Sequence, residues 1–164
     1  MTKRLTHMGL LTALALIIFT IEAQIPPIVP IPGVKLGLSN IITVYSMFCL
    51  GPKDTFKILI CRIILGSIFT GNMMVIAYSL AGGILCFLVM ALISRIVTEK
   101  QIWICSIIGA IAHNIGQIII AILIAETPSL ILYLPILMIS GIIAGFFTGL
   151  CAQFVVNRIN NHQF

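Results

Sequence analysis

The densest group of chemically capable side chains is His113, Asn114 and Gln117, in the stretch GAIAHNIGQ. On a helix, His113 and Gln117 are four residues apart and share a face. Asn114 lies about 100° round from His113 and shares the flank through its three-residue spacing to Gln117. Gly109 and Gly116 open space beside them. Three hydrogen-bonding side chains within one apolar turn have two uses. They can line a cavity and orient a ligand, or they can clamp helices together at about 0.6–2 kcal/mol per bond. A second candidate is Arg62, eight residues into the apolar run that starts at Thr55. A charge at that depth in a bilayer costs roughly 2.5–3.5 kcal/mol, so it needs a partner or a purpose. The partner would be a carboxylate such as Glu22 or Asp54; the purpose would be an anionic or polar ligand. Tyr78 and Asn72, at the outer end of the next run, can reach the same vestibule. Lys35 and Asn40 flank the entry to the second apolar run. The candidate ligand-binding set is therefore Lys35, Asn40, Arg62, Tyr78, His113, Asn114 and Gln117.

Several chemistries lack their residues. Asp54 is the only aspartate, and no paired carboxylates are placed for general acid–base work. No Gly-rich phosphate loop ending in Lys-Ser/Thr is present, so ATP hydrolysis would have to come from a partner. The five cysteines, Cys49, Cys61, Cys86, Cys105 and Cys151, stand singly in apolar runs without metal-ligand spacing. They read as buried free thiols, and neither a metal nor a cofactor is expected. The nine basic residues are scattered at run ends without interleaved aromatics, which argues against nucleic acid.

Composition sets the surroundings of these residues. Of 164 residues, 60% are hydrophobic and only 8% charged, against about 25% charged in soluble domains. Mean hydropathy is +1.23. Such a chain cannot cover itself with polar groups, so its solvent is lipid. A single integral membrane domain over 1–164 is expected.

Six apolar runs follow one another: Leu5–Ala23, Leu36–Leu50, Thr55–Thr70, Met73–Ile93, Ile102–Ala125 and Leu130–Val156. The first, about 19 residues long, suits a retained span better than a cleaved signal, since no small-x-small site follows. The second and third are short for a core of about 30 Å, which points to helices shielded by protein or broken beside a cavity. With the N-terminus in the cytoplasm, Lys3, Arg4, Lys53, Lys57, Arg95, Lys100 and Arg158 all fall at that face. Lys35 is then outside and Arg62 within the membrane. This bias predicts six spans with both termini cytoplasmic.

Between the first two runs lies IPPIVPIPGVKLGLSN, holding Pro26, Pro27, Pro30 and Pro32. Proline has no backbone donor and clashes with the preceding helical turn, so an outer loop is expected over 24–35, with the run Pro26–Pro32 stiff and extended. It reads either as a lid over a pocket or as a plain tether. Small residues spaced by four, Gly141, Gly145 and Gly149 in the sixth run and Gly9 and Ala13 in the first, allow close helix approach. Gly82-Gly83 permits the same in the fourth.

Three stretches in order, PGVKLGLSNIITVYSM, YSLAGGILCFLVM and GAIAHNIGQ, resemble the Gx transporter family, also called heptaprenyl diphosphate synthase component I. The resemblance spans nearly the whole chain. That family is similar to the substrate-binding S components of energy-coupling-factor (ECF) transporters. The resemblance implies an all-α, six-helix S-component-like bundle in the cell membrane. Its loop after helix one would close over a small vitamin-like or cofactor-precursor solute. Gly9 and Ala13 would contact the coupling subunit that joins it to an ATPase pair, although no alanine stands four residues before Ala13. The synthase label meets a physical obstacle: prenyl elongation needs Asp-rich motifs holding magnesium, and Asp54 stands alone. The chain is not expected to be an enzyme. The alternative function is an accessory membrane protein of isoprenoid or quinone synthesis or of flavin-based electron transfer. A stand-alone secondary transporter would favour paired intramembrane carboxylates, whereas Glu22 and Glu126 sit at the edge.

Overall fold

The computed structural model describes residues 2–25, 37–71 and 73–161, and every regular element among them is helical. The helices are α1 (Thr2–Glu22), α2 (Asn40–Cys49), α3 (Pro52–Thr70), α4 (Met73–Ile93), α5 (Ile102–Ala125) and α6 (Leu134–Asn161). Short 3-10 turns, Glu99–Gln101 and Pro128–Tyr133, lead into α5 and α6. The Pro-rich loop 24–35 lies outside the described residues beyond Ile25, as do Lys35 and Asn72.

Local chemistry explains the boundaries. Gly51, at φ +83°, separates α2 from α3, and Pro52 opens α3 where its missing N–H would have had no partner. Gly71 closes α3 in the left-handed region at φ +62°, donating to the carbonyls of Ser67 and Ile68. Pro135 is tolerated because α6 begins at Leu134 rather than Leu130, which leaves the proline in the first turn. The third run, by contrast, starts earlier than expected, at Pro52.

The described residues form six α-helices, one in each expected run, but these differ in how well each could cross a bilayer. Among the described residues, four segments are long and apolar enough to cross a membrane: Thr2–Glu22, Ile76–Ile93, Glu99–Ala125 and Pro128–Ile159. Helix α3, with 19 residues, reaches about 28 Å but carries Lys53, Asp54, Lys57 and Arg62. Helix α2 has only 10 residues, about 15 Å of rise and half a bilayer core. The run expected to be helical from Leu36 is not helical at Gly37–Ser39, where Gly37 takes φ +78°. Helix α2 packs against each of the other five helices, and all its residues from Ile42 to Met47 are buried. It is a half-helix that begins inside the bundle.

Helix α5 is gripped by α4 and α6 through glycines. A Cβ on Gly116 would lie 2.7 Å from the Ala81 carbonyl oxygen, and one on Gly145 would lie 2.8 Å from the Ile107 Cα. A Cβ on Gly149 would lie 2.6 Å from the Trp103 Cα. The small residues of α6 thus serve packing within the chain. At the other side α1 lies on α3, where Gly66 makes room for the Phe19 ring. Arg4 and Lys57 both hold Asp54, at 2.5 and 3.3 Å, which ties the start of α1 to the start of α3. Outward-facing Leu10, Leu14 and Ile17 on α1 and Ile139, Ile143 and Phe147 on α6 are exposed, as a lipid-facing surface requires.

Candidate ligand-binding site

Two apolar clusters bracket a polar layer. Along α4, Tyr78 belongs to one cluster and Cys86 and Met90 to the other, with Gly82 between them. Along α5, Cys105 and then Ile118 mark the same two clusters. His113, Asn114 and Gln117 lie between them. The half-helix α2 starts at this level, and Arg62 reaches it from the middle of α3. Glu22, Ser39, Asn40, Arg62, His113, Asn114 and Gln117 are each at most 5% exposed. At that burial every polar atom needs a partner.

Some have one. Glu22, the last residue of α1, accepts the Gly37 N–H at 2.5 Å through Oε1 and the Ser39 N–H at 3.4 Å through Oε2. Ser39 Oγ in turn accepts from Arg62 Nη1. A chain of contacts therefore runs from the end of α1, through the residues that open α2, to the centre of α3. Of the two carboxylates considered for Arg62, Asp54 is taken by Arg4 and Lys57. Glu22 is the one whose charge acts on Arg62, with Ser39 between them. The Asn114 Nδ2 donates to the Leu137 carbonyl at 2.5 Å, a clamp between α5 and α6.

The rest have none among the described residues. These atoms are both amide atoms of Asn40, Nε and Nη2 of Arg62, Nδ1 of His113, Oδ1 of Asn114 and Oε1 of Gln117. Close packing makes neighbours of Asn40 and His113. A Cβ on Gly37 would lie 2.9 Å from Asn40 Nδ2 and 3.2 Å from the His113 ring. Gly82 passes the other side of that ring, where a Cβ would lie 2.9 Å from Nδ1. Gly141 lies against the Asn114 amide, 2.6 Å from such a Cβ. Burying one unsatisfied polar group costs about 1–3 kcal/mol, so a layer with several suits a polar guest. The arrangement offers donors and acceptors for a small solute. Among the described residues no three His, Cys, Asp or Glu side chains converge as a metal site would require.

The other sequence candidates are placed as follows. Tyr78 is buried one turn away, in the apolar cluster of Ile118, Ala121 and Leu137. Gly9 and Ala13 lie outside the polar layer, in a groove of about 430 Å³ between α1 and α3 that Met8, Thr12 and Cys61 also line. Gly9 has open space around it. Ser39 and Gly37 enter the site without being singled out by sequence, because their contacts are to Glu22, Arg62 and His113 on other elements.

The family model described as heptaprenyl diphosphate synthase component I matches residues 11–155. No curated protein and no solved structure matches the chain. The match runs from α1 to near the end of α6 and takes in every residue of the polar layer. The chain belongs to the heptaprenyl diphosphate synthase component I family.

Proposed function

We propose that this protein is the solute-binding membrane subunit of an ECF-type uptake transporter, taking a small vitamin-like or cofactor-precursor solute into the polar layer. The observation that carries this reading is the set of buried polar atoms on Asn40, Arg62, His113, Asn114 and Gln117 that lack partners. A chain whose only task was to pack in lipid gains nothing from such a layer. The broken entry to α2 supports it, since interrupted helices at mid-depth are how membrane proteins expose backbone to a substrate. The groove beside Gly9 and Ala13 is the surface offered to a coupling subunit, with an ATPase pair behind it.

The proposed topology has both termini in the cytoplasm. The Arg4–Asp54 bond supports it by setting the starts of α1 and α3 at one end of the bundle. The contact of the Trp103 N–H with Gln153 at 3.5 Å does the same for the start of α5 and the end of α6.

The family's printed name favours a second reading, an accessory membrane component beside a prenyl synthase. A catalytic role fits poorly, because Asp54 is engaged by two cations at the end of the bundle. Purification of the tagged chain in mild detergent separates the readings. A co-purifying ATPase pair with a helical coupling subunit, and a retained small molecule by native mass spectrometry, support transport. A soluble synthase with no retained solute replaces it with the accessory role.

A further inference from the structure

Resting on the solute-binding reading, we propose that the ligand is net-neutral and offers two adjacent acceptors to the Nε/Nη2 edge of Arg62, with Glu22 setting this charge preference. The argument starts from the guanidinium. Its five N–H groups form a planar fork, and the Nε and Nη2 donors lie along one edge of it. In this protein Nη1 is used on Ser39, while Nε and Nη2 are both buried and unpartnered. One whole recognition edge is therefore buried without a protein partner. Its complement is a pair of oxygens, or an oxygen beside a ring nitrogen, in one plane.

Charge then narrows the class. Arg62 and Glu22 are the two formally charged side chains of the layer among the described residues. Glu22 is held by the Gly37 and Ser39 N–H groups, so it acts on a ligand through its charge rather than by contact. By formal charge, counting histidine as neutral, the layer sums to zero before the ligand arrives. A net anion would bring a buried charge with no counter-ion, and a net cation would do the same beside Arg62. A net-neutral solute keeps the sum at zero and still satisfies the fork. The amide groups of Asn40, Asn114 and Gln117 accept from its N–H or O–H groups. Uncharged heterocycles with carbonyl and N–H groups fit, and so do zwitterions whose carboxylate meets Arg62.

The test uses the full chain in detergent and a defined mixture of water-soluble vitamins and metabolites, split by ion exchange at pH 7 into neutral, anionic and cationic pools. Masses retained after washing are released and quantified. The expected result is retention from the neutral pool at least about tenfold above either charged pool. Glu22→Gln removes the compensating charge while keeping an acceptor for the Gly37 N–H. It should move retention toward the anionic pool by about tenfold or more, and Glu22→Asp should restore the wild-type preference. If the wild type retains chiefly charged solutes, or if folded Glu22→Gln keeps the neutral preference, this inference is overturned and solute binding stands. Retention from no pool by folded protein removes the solute-binding reading and this inference together.

Discussion

The pairing of Arg62 with Glu22 through Ser39 makes a quantitative prediction about stability. Replacing Arg62 by Met keeps volume and removes the guanidinium. Ser39 Oγ then loses its donor, and the Glu22 carboxylate, 3% exposed, is left with only two backbone N–H contacts, at 2.5 and 3.4 Å. An uncompensated buried charge of this kind costs about 3–5 kcal/mol. Glu22→Gln alone strands Arg62 in the same way. The double variant removes both charges and keeps an amide oxygen for the Gly37 N–H, so its cost should fall well below the sum of the single costs. The expected coupling is at least about 1.5 kcal/mol in a double-mutant cycle. The assay is reversible unfolding in mixed micelles, followed by far-UV circular dichroism, on wild type, both single variants and the double. Additivity within about 0.5 kcal/mol would refute the reasoning, because independent sites add to that accuracy.

Further expectations follow from the same geometry. Gly116→Ala drives a methyl into the Ala81 backbone, which cannot yield, and should destabilise by about 1–3 kcal/mol. Gly9→Ala meets open space and should leave thermal unfolding unchanged, while a larger Gly9→Leu should reduce co-purification of a membrane partner. Gln117→Ala should weaken solute binding roughly 5- to 150-fold, the equivalent of one lost buried polar contact. Cys105→Ala, in the apolar cluster below the layer, should not change it; isothermal titration with the solute identified by mass spectrometry distinguishes the two. In a cysteine-free background, a cysteine at residue 2 should resist an impermeant thiol reagent in intact cells, and labelling there would overturn the proposed topology.

Some of this was legible in the residues alone. Helices α4 and α5 occupy the apolar runs Met73–Ile93 and Ile102–Ala125 as expected, because length, hydropathy and flanking turn or charge signals are local properties. The spacing of Gly141, Gly145 and Gly149 predicted close helix approach, since a missing side chain has the same consequence wherever the neighbour stands. The cost of burying His113, Asn114, Gln117 and Arg62 marked them for the same reason. Other features belong to the tertiary structure. The run from Leu36 looks helical by composition, yet Gly37 adopts a left-handed turn held by Glu22, fifteen residues away in sequence, and α2 is left as a half-helix. Glu22 and Asp54 were both candidate partners for Arg62, and Asp54 was much the nearer along the chain. Lys57 reaches Asp54 within α3, but only the packing of α1 against α3 brought Arg4 to it, and only the entry of α2 placed Ser39 between Glu22 and Arg62. Tyr78, polar by type, was set among Ile118, Ala121 and Leu137 by the register of α4 on α5. Run lengths and burial costs depend on each residue and its near neighbours, whereas hydrogen-bond partners across helices depend on relative rotation and depth, which no local stretch encodes.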